Sequence, residues 1–128
     1  MTNPAPGFQK VPRKHIEVRP AGKRVCVTVK GEILADSRNA LEMKEGSYPP
    51  VYYIPRSDVR MERLVRTQHS THCPFKGDAS YFSIVNGPEN AIWSYEQPYD
   101  EMLEIRDLLS FYPGKVDVSF ETMSSSGA

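Results

Sequence analysis

The chain has 128 residues, the size of one ordinary domain, and its 39% hydrophobic and 10% aromatic content is enough to build a core without disulfides or metal staples. Sixteen basic residues balance sixteen acidic ones, so no global field draws it to nucleic acid or to an anionic membrane. Eleven Pro and eight Gly interrupt any long helix, which predicts a mainly β fold: a small β-rich α+β domain of curved antiparallel hairpins with one short C-terminal helix.

Residues 1–14, which include Pro4, Pro6 and Pro12, read as a flexible arm, residues 15–122 as a single domain, and residues 123–128 as a disordered tail. Alternation of Val25, Val27 and Val29 with Cys26 and Thr28 predicts a strand that returns at Gly31 into Ile33–Ala35. A second pairing is expected between Ala40–Met43 and Val51–Ile54, across the turn-rich stretch 45–50. Between Ser57 and Val65 one helical turn is expected at most. Ala79–Val85 and Ala91–Tyr95, joined by Asn86-Gly87-Pro88-Glu89-Asn90, form the best hairpin, with Tyr81, Ser83 and Val85 on one face. Met102, Ile105, Leu108 and Leu109 are spaced for a helix over Glu101–Phe111, stopped by Tyr112-Pro113-Gly114 before Lys115–Phe120.

Charge is unevenly distributed. Through Val85 there are fourteen basic and eight acidic residues, and from Asn86 onward two basic and eight acidic. Either the two parts neutralise each other on packing or the first part offers a basic pocket. The opening residues lack the apolar core of a signal peptide, no eighteen apolar residues run together, and Cys26 and Cys73 are too few for a disulfide scaffold. A cytoplasmic protein with reduced thiols is expected, with no membrane and no nucleic acid among its partners.

Three stretches are distinctive: Tyr52-Tyr53-Ile54-Pro55-Arg56-Ser57-Asp58-Val59, then Thr71-His72-Cys73-Pro74-Phe75-Lys76-Gly77-Asp78-Ala79-Ser80-Tyr81, then Ala91-Ile92-Trp93-Ser94-Tyr95 followed by Pro98 and Phe111-Tyr112. In this order they resemble the bacterial domain-of-unknown-function family 427, whose pattern contains Tyr-x-Pro-x-x-Asp-Val, Cys-Pro-x-Lys-Gly-x-Ala-x-Tyr and Trp-x-Tyr. The resemblance spans most of the chain and implies a small β-rich unit of curved sheets with a short helix. It supplies no established activity, although the family also carries the label nucleotidyltransferase. Polymerase-type nucleotidyl transfer needs a glycine turn and two carboxylates spaced i and i+2 on a strand to hold Mg²⁺. Gly46-Ser47 and Asp58 fit in part, but Arg60 stands at the second carboxylate position and Pro49, Pro50 and Pro55 exclude a helix after the turn.

The densest chemistry lies around Cys73. His69, His72 and Lys76 are within four residues of it, and cations favour the thiolate that a nucleophile requires. The opposite reading is a small thiol buried at a turn, with Lys76 in water. A zinc site on His69, His72 and Cys73 wants a fourth ligand, and only the remote Cys26 and His15 offer one. Tyr53, Tyr81, Trp93 and Tyr95 are either core aromatics or a stacking wall for a planar ligand, with Arg56 or Lys76 at its anionic end. The expected function is binding of a small anionic, nucleotide-like ligand around the Cys-Pro-Phe-Lys-Gly motif, by Tyr53, Arg56, His72, Tyr81, Trp93 and Tyr95. If there is turnover, Cys73, Lys76 and Asp58 are its candidates. The alternative is a protein-interaction module using a β edge and the acidic segment after Pro98. No metal or cofactor is selected, and one chain does not fix the oligomeric state.

Overall fold

The computed structural model describes residues 2–10 and 16–123. β1 (Ile16–Pro20) pairs antiparallel with β4 (Leu41–Glu45), and β4 with β5 (Val51–Tyr53), in the register Leu41↔Tyr53. β2 (Lys23–Val29) and β3 (Glu32–Ser37) form the hairpin that the alternating valines predict. Its turn uses Lys30 and Gly31, with φ of 49° and 81°, the left-handed pair that a two-residue hairpin requires. β10 (Asp117–Thr122) closes the other side of β2, placing Val118 opposite Val27 and Phe120 opposite Val25.

A four-stranded sheet runs β6 (Leu64–Cys73), β7 (Gly77–Ile84), β8 (Ile92–Ser94) and β9 (Leu109–Phe111). β6 carries a register shift between Arg66 and Ser70, a bulge that bends this exposed edge. Ile54 and Leu109 exchange both backbone hydrogen bonds, at 2.8 and 2.9 Å, and so tie the β1-β4-β5 sheet to this one. The fold is mainly β, with three antiparallel sheets, short helical segments and no closed barrel among the described residues. No helix among those residues is long and apolar enough to cross a membrane.

Strand alternation divides the interior in two. β7 sends Phe82 and Ile84 into a cluster with Val25, Val27, Leu34 and Ile92, and it sends Ala79 and Tyr81 into a second with Met43, Tyr53, Tyr95, Met102 and Ile105. The predicted hairpin 79–95 is present, with Tyr81 opposite Trp93.

The helix predicted over Glu101–Phe111 is not. A 3₁₀ segment covers Asp100–Ile105, breaks at Met102 (φ −122°, ψ 22°) and is followed by Asp107 at φ 64° and by β9. Met102 and Ile105 are buried by that short segment alone. Leu109, Ser110 and Phe111 are buried on both faces, between β8 and Ile54, where only a strand supplies both ladders. Tertiary pairing here overrides helical spacing.

In the segment read as an arm, α1 (Pro6–Lys10) packs against the motif turn. The Gly7 amide donates to the Pro74 carbonyl at 2.8 Å, Ala5 is fully buried, and Phe8 meets Phe75 edge-on at 5.1 Å. The rest of that segment, at 1 and 11–14, and the tail residues 124–128 lie outside the described residues.

Candidate functional site

The motif Thr71–Tyr81 is the β6–β7 hairpin, with Cys73 opposite Gly77 and Pro74-Phe75-Lys76 in the turn. Gly77 has φ 116°, and a Cβ there would sit 3.3 Å from the Gln97 carbonyl, so only glycine suits the position. Cys73 is a free, half-buried thiol packed against the second cluster, beside Tyr53 and Tyr95. Lys76 does not point into water. Its Nζ donates to Glu45 Oε1 at 2.9 Å, with the two side chains 15% and 22% exposed, so the motif's ammonium already holds a carboxylate of this chain. His72 Nδ1 lies 2.7 Å from Asp78 Oδ1 on the exposed hairpin.

Arg56 is engaged too. Its Nε donates to the Asp107 carbonyl at 2.7 Å, and Nη2 donates to Ser94 Oγ at 3.2 Å and Glu96 Oε2 at 3.0 Å. Arg66 grips the same Glu96 through both carboxylate oxygens, and both guanidiniums lie over the Phe82 ring. Hydrogen bonds from Arg66 and then Arg56, against the opposing effect of burial, hold the Glu96 carboxyl down to about 2. Asp58 lies apart, accepting from Ser37 Oγ at 2.7 Å. It borders a polar cavity of about 280 Å³ beside the Arg24–Asp36 bidentate pair. Gly46 lies in the turn after β4, and Asp58 in a 3₁₀ turn. Among the described residues, no three His, Cys, Asp or Glu are grouped to hold a metal ion.

The aromatics do come together. Trp93 meets Tyr53 edge-on at 6.5 Å and Tyr112 at 4.4 Å, and Tyr112 stacks on Tyr81 with planes 12° apart. The Tyr81 hydroxyl is 2.9 Å from Thr71 Oγ1 and 3.3 Å from the Tyr112 hydroxyl, and His69 lies edge-on to the Tyr81 ring at 4.5 Å. Burial, then the bond to Tyr81, pushes the Tyr112 phenol up to about 12. Burial raises Tyr53 and Tyr95 further, so both remain neutral phenols at any physiological pH. The structure therefore gathers Tyr53, Cys73, Tyr81, Trp93 and Tyr95 around one cluster, and it holds Arg56, Asp58, Lys76 and His72 in separate polar contacts.

A pocket of about 310 Å³ opens on the other side of Trp93. Val25 and Val27 of β2 and Val118 and Phe120 of β10 form one wall, with Tyr52, Ile54 and Phe111 opposite. Among the described residues, none that lines it is charged. The hydroxyl of Ser110 is already committed to the Tyr52 carbonyl at 2.8 Å, which leaves the pocket apolar and aromatic. Lys23 lies over two of the lining rings: its Nζ is 4.4 Å from the Phe120 ring centroid and 4.9 Å from that of Tyr52. The neighbouring Glu42 feels Lys23 but is bound by Arg19 and by the Tyr52 hydroxyl. Burial raises its carboxyl, and these hydrogen bonds outweigh burial to leave it lowered. Of the predicted site residues only Trp93 lines this pocket. Val118 and Phe120 were missed, although their two-residue spacing carried a strand signal.

The family model labelled NTP_transf_9, described as a domain of unknown function (DUF427), matches residues 17–122. No curated protein matches the chain.

Proposed function

The chain belongs to the DUF427 family of domains of unknown function, and from that premise we propose that it is a small-molecule-binding domain, with its ligand's apolar body in the Trp93 pocket and an anionic end at Lys23. One observation carries the reading: an aromatic pocket of about 310 Å³, uncharged among the described residues, with the Lys23 ammonium over two of its rings. That volume is at the lower end of small-ligand sites, which combine apolar walls with a few convergent polar groups. Lys23 supplies the anion recognition expected of Arg56 and Lys76, because those two have Glu96 and Glu45 as partners. Trp93 retains the stacking role read from the sequence.

The test is a thermal-shift and fluorescence screen against aromatic and aliphatic carboxylates, nucleotides and their uncharged analogues. The chain's single tryptophan lines the pocket, so its emission reports occupancy directly. A ligand at a hundred times its Kd adds about 2.7 kcal/mol, worth several degrees. Val118→Trp fills the pocket and removes the response, and Lys23→Met reduces the preference for the charged ligand. A ligand that still binds Val118→Trp with unchanged affinity overturns the reading.

The second reading, an interaction module, draws on β6, an edge strand of ten residues whose Val65 is 54% exposed. It is weakened by the bulge between Arg66 and Ser70, a feature that blunts strand addition.

A further inference from the structure

The pocket has two ends of different chemistry. Lys23, Val25 and Val27 succeed one another at every second residue of β2, so their backbone positions span about 13 Å at the rise of a strand. The pocket adjoins an open groove of about 550 Å³, and Pro50, Val51 and Pro113 line both spaces. The groove continues over Met43, Pro49 and Tyr48, whose ring is 66% exposed. Among the described residues its one charged lining residue is Glu45, which is paired with Lys76. A molecule that follows this path meets a cation at its start, an apolar channel through its length and, at its end, two ammonium groups already engaged, Lys76 by Glu45 and Lys44 by the Tyr48 carbonyl.

On the reading that the Trp93 pocket is a ligand site, we infer that the ligand is a straight-chain monocarboxylate, its carboxylate at Lys23 and its methyl end leaving the pocket along the groove beside Tyr48. Charge complementarity sets the direction. The carboxylate finds its ammonium at the Lys23 end, whereas at the other end Lys76 is held by Glu45 and Lys44 by the Tyr48 carbonyl, so a second carboxylate would be desolvated without a partner. The stretch beside Lys23, Val25 and Val27 takes at most roughly ten carbons in extended form, and the groove takes the remainder. Lys76 thereby acquires a role that differs from anion capture: it screens Glu45 so that the apolar tail can pass.

The measurement is the Kd of saturated monocarboxylates from four to fourteen carbons, read by Trp93 emission below their micelle concentrations, with the matching alcohols and α,ω-dicarboxylates as controls. Each CH₂ buried improves affinity up to roughly fourfold. The gain should persist past ten carbons, dicarboxylates of equal length should bind at least tenfold more weakly, and alcohols should lose the contribution of Lys23. Tyr48→Glu, on an exposed turn where folding is not at stake, should weaken the long acids at least tenfold and leave those below eight carbons unchanged. Affinity that stops rising near ten carbons, with Tyr48→Glu silent, overturns this inference and leaves the pocket proposal standing. The absence of binding at every length, while another class of small molecule shifts the Tm through Val118, also overturns it. Failure of every compound removes the pocket reading itself.

Discussion

Glu96 is a single carboxylate between two guanidiniums, and its titration has a sign that can be worked out. Its folded value of about 2 lies below the ordinary 4.5 of a glutamate, so the ionised form is favoured by folding. The stabilisation is complete above about pH 4.5 and is lost as the pH falls toward 2. Glu96→Gln should therefore flatten the acid limb of the stability curve in that window. Near neutral pH it should cost about 1–3 kcal/mol, because Arg56 and Arg66 would face each other over Phe82 without their carboxylate. Urea unfolding of both proteins at pH 3 and pH 7 checks this: the difference between them must shrink at the lower pH. An equal difference at both pH values would mean that Glu96 acts by packing alone. The same triad explains why Arg56 was legible as a charged motif residue but its role was not. Its partner is forty residues away in sequence, and no local pattern announces a carboxylate that far off.

At the scale of elements, α1 and β9 carry the lesson. Gly7 brings α1 so close to the motif turn that a Cβ would lie 2.8 Å from the Pro74 carbonyl and 2.7 Å from the Phe75 ring. The ring can rotate, but the carbonyl belongs to the β6–β7 turn and cannot yield. Gly7→Val should thus lift α1 from the domain. Hydrogen exchange at the residue-7 amide should become fast, with the Tm nearly unchanged, since the strands keep their own pairing. A Tm falling by many degrees would mean that α1 is part of the cooperative unit. The hairpins β2–β3, β4–β5 and β7–β8 were legible because their residues alternate and Gly or Asn marks the turns. β6 was not, since eight of its ten residues are polar or exposed and bury no stripe. β9 was read as helix because Leu108 and Leu109 continue the spacing of Met102 and Ile105, and only the partners on both sides of Leu109–Phe111 make it a strand. The pocket was hidden for a related reason: its walls come from β2, β5, β8, β9 and β10, and adjacency in space leaves no trace in chain order.

For the whole molecule, the lopsided charge resolves by pairing across the chain. Glu96 joins Arg56 and Arg66, and Glu121 joins Arg24 in a cluster with Asp36. These surface pairs align the later segment with the earlier one but contribute little to stability individually. Cohesion rests instead on the junction where Ile54 and Leu109 exchange backbone hydrogen bonds. Ile54 is 1% exposed in the first cluster and Tyr53 is 1% exposed in the second, so consecutive residues of one chain segment anchor both halves of the interior. A cavity at Ile54 should consequently be felt by both clusters together. Ile54→Ala is expected to cost about 2–5 kcal/mol, or roughly 4 °C per kcal/mol for a domain of this size. Scanning calorimetry should still record one transition, with equal calorimetric and van't Hoff enthalpies. If two transitions separate instead, the sheets on either side of the junction are independent units, and ligand binding at Trp93, which touches both, should then raise their midpoints unequally.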